Sequence, residues 1–220
     1  AFGNGGGILA VSSNLSDGAS TPRGLSVVSS TAIANNGLGL ILRGANSLSG
    51  NVTVDNSFLV LDSQFAFPAK AGQGISLTTT TGAYLSATEQ SNVSSFRRLM
   101  QAVNGNYSPL SILGFDSHGY IDAQILGSYT TSDRTVLEGL NLGAYAPFYL
   151  GSATRATLSG TLVAPAAGLQ AGNRSLYLTG VGDGRLAVRS YLSNATGVDK
   201  VVLGTSTGFD NGGTVAIFGR

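Results

Sequence analysis

Residues 3–16 read GNGGGILAVSSNLS and residues 180–193 read GVGDGRLAVRSYLS, with nine of fourteen positions identical. After one gap the likeness continues: SSTAIANNGLGLIL (29–42) aligns with TSTGFDNGGTVAIF (205–218), where Ser30/Ser206, Thr31/Thr207, Asn35/Asn211, Gly37/Gly213 and Ile41/Ile217 coincide. Two copies of one cassette, at 3–44 and 180–220, constrain the fold more than any other feature. A cassette of roughly forty residues cannot bury its apolar side chains alone and does so by stacking on neighbouring coils.

The runs inside and after the first cassette have strand character. GILAVSSNL, RGLSVVSST, LGLILRG, NVTVD and FLVLDS are short, Leu-rich or β-branched, and separated by turn clusters such as NNG (35–37) and SGN (49–51). No long helix lies between them, which argues against a doubly wound α/β fold. Only 10% of residues are charged, while Ser, Thr, Asn and Gly number 27, 19, 14 and 32. Those residues compete with helical hydrogen bonding, so the polar surface favours turns and short strands.

The middle differs. SATEQSNVSSFRRLMQAVNG (86–105) places Phe96, Leu99, Met100 and Val103 on one helical face, with Ser94 or Ser95 as N-cap and Gly105 past the end. The spacing predicts one short helix near residues 92–104. GYIDAQILG, TVLEGLNLG, PFYLG, ATLSGTLVAP and SLYLTG then read as further strands. No linker separates independent domains. The expected fold is all-β, a right-handed parallel β-helix over residues 1–220, with cassette 3–44, a helix-containing middle 63–165 and cassette 180–220.

The phrase GLGLILRGANSLSGNVTVDNSFLVLDS resembles the autotransporter-associated passenger repeat of very large bacterial surface proteins. Gly37, Gly39, Leu40, Leu42, Gly44, Ala45, Asn46, Gly50, Thr53, Val54, Leu59 and Leu61 occupy the matching positions, while Leu48 stands in place of a Tyr and Ser57 or its neighbour in place of a Gly. The stretch from LEGLNLGAYAPFYLG to GRLAVRSYLSN is similar to inter-repeat modules of such proteins. The resemblance implies a parallel β-helix, an extracellular, cell-surface location and a structural or adhesive role.

Candidate chemistry is sparse. The one histidine lies in GFDSHGYID, so Asp116, His118 and Asp122 form the best available acid/base set, against the plainer reading of a polar turn after Phe115. Asp116 and Asp122 are also the calcium candidates. A standard EF-hand is rejected, because Gly114, His118 and Ile125 stand at ligand positions 1, 5 and 12 once Gly119 is placed at position 6. No phosphate loop, nucleophile elbow or cysteine is present, and no catalytic residue or cofactor is expected. Tyr145 and Tyr149 are candidate glycan contacts beside a core Phe148. Asn14, Asn51, Asn92, Asn106, Asn173 and Asn194 head N-x-S/T sequons and are glycosylation candidates. Net charge +1 makes no case for nucleic acid, and no apolar run reaches membrane-spanning length.

These features lead to an expectation of an extracellular structural protein. The solenoid stacks head to tail into a filament or surface layer, and the chain's main partner is itself. Gly3, Gly5, Gly7, Leu9, Val11, Val215, Ile217 and Phe218 are the expected assembly residues. The alternatives are one unit of a longer tandem array, a glycan-binding adhesin, or a polysaccharide-cleaving enzyme. The chain opens on Ala1-Phe2, so an export signal is expected to have been removed or to lie outside it.

Overall fold

Short Leu- and Val-rich runs become strands here because each meets a similar run one coil away. The computed structural model describes residues 9–17, 21–28, 39–63, 66, 75–77, 83–88, 93–103, 107–108, 111–126, 135–165, 174–192, 198–204 and 213–218. The first half holds β1 (Leu9–Val11), β2 (Leu25–Val28), β3 (Leu40–Leu42), β4 (Val52–Asp55), β5 (Phe58–Leu61), β6 (Ile75–Leu77), β7 (Tyr84–Thr88), α1 (Val93–Val103) and β8 (Ile112–Asp116). The second holds α2 (His118–Leu126), β9 (Thr135–Asn141), β10 (Tyr149–Ser152), β11 (Arg155–Val163), β12 (Ser175–Gly180), β13 (Arg185–Val188), β14 (Lys200–Leu203) and β15 (Thr214–Ile217).

Every ladder between these strands is parallel. One face is an eight-stranded sheet in the order β1-β3-β5-β7-β8-β10-β12-β14. The chain crosses between visits to a second face, which comprises β2-β4-β6 and β9-β11-β13-β15. Helix α1 packs on β6 and β7, and Arg97 donates to the Gly139 carbonyl of β9 at 3.4 Å. It therefore takes the place of a strand between the two smaller sheets. The architecture is a parallel β-solenoid carrying two short helices, in agreement with the expected class.

Inside the coil, Leu40, Leu59, Leu85, Leu113, Leu150 and Leu178 stack in one ladder, each at most 2% exposed. Phe96, Leu99, Met100 and Val103 of α1 join that core, as their helical spacing predicts. The helix begins at Val93, so Ser94 and Ser95 lie in its first turn rather than at the cap; Gly105 lies outside the described residues. Between coils, the turn after β3 is sewn to its neighbours by side chains. Buried Asn46 accepts from Leu15 N (3.0 Å) and donates to the Ala66 carbonyl (3.1 Å), while Asn14 accepts from Ala45 N (2.8 Å). An amide suits that place because it satisfies one coil's donor and another coil's acceptor.

One sequence expectation is corrected. The GYIDAQILG stretch is the helix α2, not a strand, because Ser117 caps it: the Ser117 hydroxyl accepts from Tyr120 N at 3.4 Å and its carbonyl accepts from Ile121 N. The two cassettes do form matching units, with β1 stacked on β3 and β13 stacked on β15. They sit half a coil out of phase, since β1 and β3 belong to the eight-stranded face and β13 and β15 to the second. The phrase specifies a strand with inward Leu and Val, which either face accepts.

Candidate functional site

Side chains on the outer face of the eight-stranded sheet alternate with the inward Leu ladder, and they line up in rows across the coils. One row is apolar and aromatic: Phe58, Tyr84, Ile112, Tyr149 and Tyr177, with Ile121 of α2 packed in the same cluster. Four residues along the strands lies a polar row, running Arg43, Asp62, Thr88, Asp116. Two centres form on it.

The first centre is a closed ring. Arg43 donates through Nε to Asp62 Oδ2 at 2.8 Å and through Nη2 to Asp122 Oδ1. His118 meets Asp62 Oδ1 through Nδ1 at 2.8 Å and Asp122 Oδ2 through Nε2 at 3.3 Å. All four carboxylate oxygens are thus matched to Arg43 or to the His118 ring. Asp62 is fully buried, whereas Asp122 is 40% exposed at its side chain. His118 and Asp122 share a helix face because they stand at i and i+4 of α2. Both ring nitrogens donate only when the histidine is imidazolium, and in that form the four charges sum to zero.

Donor atoms of Asp62, His118 and Asp122 lie within 4.8 Å of one another, close enough to share a cation. Arg43 takes one oxygen of each carboxylate and the His118 ring faces the other. The arrangement as built is a clamp that pins α2 to the ends of β3 and β5. Neither Arg43 nor Asp62 is signalled by the sequence, because 79 residues separate Arg43 from Asp122 and 56 separate Asp62 from His118.

The second centre surrounds Asp116, which is wholly buried. Its Oδ2 accepts from the Tyr84 hydroxyl (2.6 Å) and the Ser86 hydroxyl (2.5 Å). Its Oδ1 accepts from the Ser152 hydroxyl (3.0 Å), Ala153 N (2.9 Å), Thr154 N (3.0 Å) and the Thr154 hydroxyl (3.0 Å). Six neutral donors replace water around one carboxylate. Gly114 makes room for the Tyr84 ring: a Cβ there meets its Cζ at 2.7 Å. Burial, with the Asp116 carboxylate beside it, pushes the Tyr84 hydroxyl well above its ordinary range. The Thr154 hydroxyl also accepts from Ser117 N at 2.8 Å, tying this hub to the start of α2. Thr88 stands between the centres and its hydroxyl joins neither.

The acid/base and calcium sets are therefore split. His118 and Asp122 come together, but with Asp62 instead of Asp116, whose oxygens are saturated inside the sheet. Asp116 and Asp122 share no site, because strand and helix turn them to different partners. Phe148 is core and packs edge-on against Tyr107 at 5.6 Å. Tyr149 is buried too, 5.3 Å from Tyr177, so it forms no open platform with the half-buried Tyr145. The Tyr107 hydroxyl donates to the Ala146 carbonyl at 2.6 Å, and burial, with a smaller contribution from Tyr145, pushes it up to about 12. Asn14 and Asn51 are exposed; Asn92, Asn106, Asn173 and Asn194 lie outside the described residues, as do Gly3, Gly5 and Gly7.

Among the described residues, the expected assembly residues Leu9, Val11, Val215, Ile217 and Phe218 lie on the outermost coils. β1 and β14 are the outermost strands of the eight-stranded sheet, and β2 and β15 are the outermost strands of the second face. Leu9, Leu203 and Ile217 point inward like their ladder partners Leu40, Leu178 and Val188, yet they are 41, 53 and 43% exposed. Phe218 is 54% exposed on the outer side, and Val11 and Val215 are half-buried against the core. No protein-family model matches the chain, and neither the curated proteins nor the solved structures searched contain a match to it.

Proposed function

We propose that this protein is an extracellular structural module whose coils stack head to tail, end face on end face, with a second copy of the chain. The observation that carries the reading is the exposure of inward-facing ladder residues at both ends. Leu9 at one end and Leu203 and Ile217 at the other occupy positions that every interior coil buries. Covering the exposed half of one such side chain contributes about 1 kcal/mol. Among the described residues, β1, β2, β14 and β15 each pair with a strand on one side only, which leaves the other side's backbone groups open to a further strand.

A stack that continues both faces sets β14 against β1 of the next copy, and β15 against β2. Continuing the leucine ladder then carries Leu203 onto Leu9 of the next copy. Such a head-to-tail contact does not close on itself, so it grows into a filament. The resemblance of residues 37–61 to passenger repeats supports the surface location and the structural role.

Sedimentation velocity and negative-stain microscopy of the purified chain over a concentration series test the proposal. Polymers are expected to grow with concentration, and Leu203→Lys with Ile217→Lys to abolish them. A chain that stays monomeric at high concentration overturns the reading, as does a native protein in which further coils of the same chain cover these ends.

A further inference from the structure

The two sides of the His118 ring in the clamp are held unequally. Nδ1 meets Asp62 Oδ1 at 2.8 Å, an ordinary hydrogen-bond length, whereas Nε2 stands 3.3 Å from Asp122 Oδ2, beyond the usual N–H···O range. Arg43 grips the remaining oxygen of each carboxylate and so fixes both acids from the other side. The inner half of the clamp is closed, since the Asp62 side chain is fully buried, while His118 and Asp122 are 28 and 40% exposed at theirs. One ladder step from Asp62, the buried Thr88 hydroxyl has no hydrogen-bond partner.

We propose that the clamp is a binding site for a divalent cation of the zinc class, with His118 Nε2 and Asp122 Oδ2 as its direct ligands. The inference goes beyond the stacking reading and does not depend on it. A neutral His118 that donates Nδ1–H to Asp62 carries its lone pair on Nε2, opposite a carboxylate oxygen. Two electron-rich atoms then face each other, and one guanidinium against two carboxylates leaves the cluster negative. A cation between Nε2 and Oδ2 relieves both. In the imidazolium form that cation is a proton; a metal ion takes its place and the proton goes to solvent. Zinc binds imidazole nitrogen and carboxylate oxygen at about 2.1 Å, so two such bonds span the 3.3 Å gap at an angle of about 105°, close to tetrahedral.

Asp62 supplies the outer support. A histidine that binds metal through one nitrogen commonly donates its other N–H to a carboxylate, which fixes the ring and raises its basicity. Asp62 is placed for that role, held by Arg43 Nε at 2.8 Å and facing Nδ1. The two direct ligands stand at i and i+4 of α2, so the helix sets their spacing before any ion arrives. Arg43 keeps its hold on the other Asp122 oxygen throughout. An imidazole ligand favours zinc over calcium and magnesium, which prefer all-oxygen shells. Water fills the remaining positions on the ion, and on this row the Thr88 hydroxyl is the buried atom that the protein leaves to water.

Because the chain has a single histidine, nitrogen-detected NMR of the untagged, chelator-treated protein reads the site directly. Zinc chloride added at pH 7.5 is expected to shift Nε2 of that ring while Nδ1 keeps its proton, and to raise the Tm by mass action. Calorimetry with the same salt is expected to lose about tenfold or more in affinity in His118→Ala and in Asp122→Asn, since even an outer partner is worth that much. Asp183→Asn, an exposed acid outside the clamp, is expected to leave it unchanged. Thermal unfolding checks that each variant is folded, and the NMR reading needs no variant. Absence of zinc binding, zinc on Nδ1 instead of Nε2, or binding undiminished in both clamp variants overturns the proposal; calcium bound as tightly as zinc does so too.

Discussion

Leu178 and Leu203 are neighbours in one ladder, a single rung apart and facing the same core, yet the first is completely buried and the second is 53% exposed. Val188 and Ile217 repeat the contrast on the other face, at 0 and 43%. A coil of this solenoid has no core of its own. What buries a Leu is the next coil, so an end coil carries the same side chains with only half of their cover. Interior coils spend that cover twice, since their outer face is also closed, by α2 and by the polar network around Asp116.

The interior half of the contrast is best broken at that network. Asp116→Ala strips a carboxylate from six donors, and each buried donor left orphaned costs about 1–3 kcal/mol. A loss above about 4 kcal/mol in urea unfolding is expected; a loss below about 2 kcal/mol shows that water enters and replaces the carboxylate. Next in size is Leu178→Ala, which opens a cavity between two coils and is expected to lower stability by about 2–5 kcal/mol. The clamp is weaker, because half of it is solvated. Asp62→Asn is expected to cost about 2 kcal/mol and to expose α2 to hydrogen exchange before the sheet opens. Exchange in α2 unchanged by the substitution removes the clamp reading.

How much of this was legible in the sequence differs between backbone and side chains. Strand runs such as LGLILRG and FLVLDS announce themselves by Leu, Val and flanking turn residues, and α1 by Phe96, Leu99, Met100 and Val103 at helical spacing. Helix α2 hides because Gly119, Tyr120 and Ile121 read as turn and strand, and its start depends on one serine hydroxyl. The clamp and the Asp116 hub hide for another reason. Their cross-coil contacts join residues 19 to 79 apart, which meet only because coils of unequal length stack in register. Periodicity shows which residues face in or out, but not which coil lies above. The face on which a cassette lands was equally illegible, since both faces ask for the same inward Leu and Val.

Alkaline titration probes the interior at two tyrosines. Tyr84 and Tyr107 hold their protons more tightly when folded than the ordinary phenol near 10 does. Above pH 10 the unfolded chain loses these protons first, so the unfolded state binds fewer and stability falls as pH rises. That stability is fully present below pH 10 and is lost for Tyr107 as pH climbs towards about 12. Denaturation midpoints measured between pH 9 and 12 are expected to decline along that limb, and less steeply in Tyr107→Phe. A variant that declines as steeply as the parent shows that Tyr107 is not the group responsible.

The smallest effect belongs to the end coil. Leu203→Ala removes a side chain that solvent already reaches, so the isolated chain is expected to lose less than about 1 kcal/mol, against several for Leu178→Ala. At concentrations where copies stack, that side chain is covered and its truncation acts on the polymer as well as on the monomer. The Tm of the parent then rises with concentration by mass action, while that of Leu203→Ala rises less. Unfolding measured across dilutions separates the cases. A Leu203→Ala loss that is small at every concentration leaves Leu203 a bare edge and removes it from any joint between copies. A loss that grows with concentration makes Leu203 and Leu178 the same kind of residue, differing only in whether the next coil belongs to the same molecule.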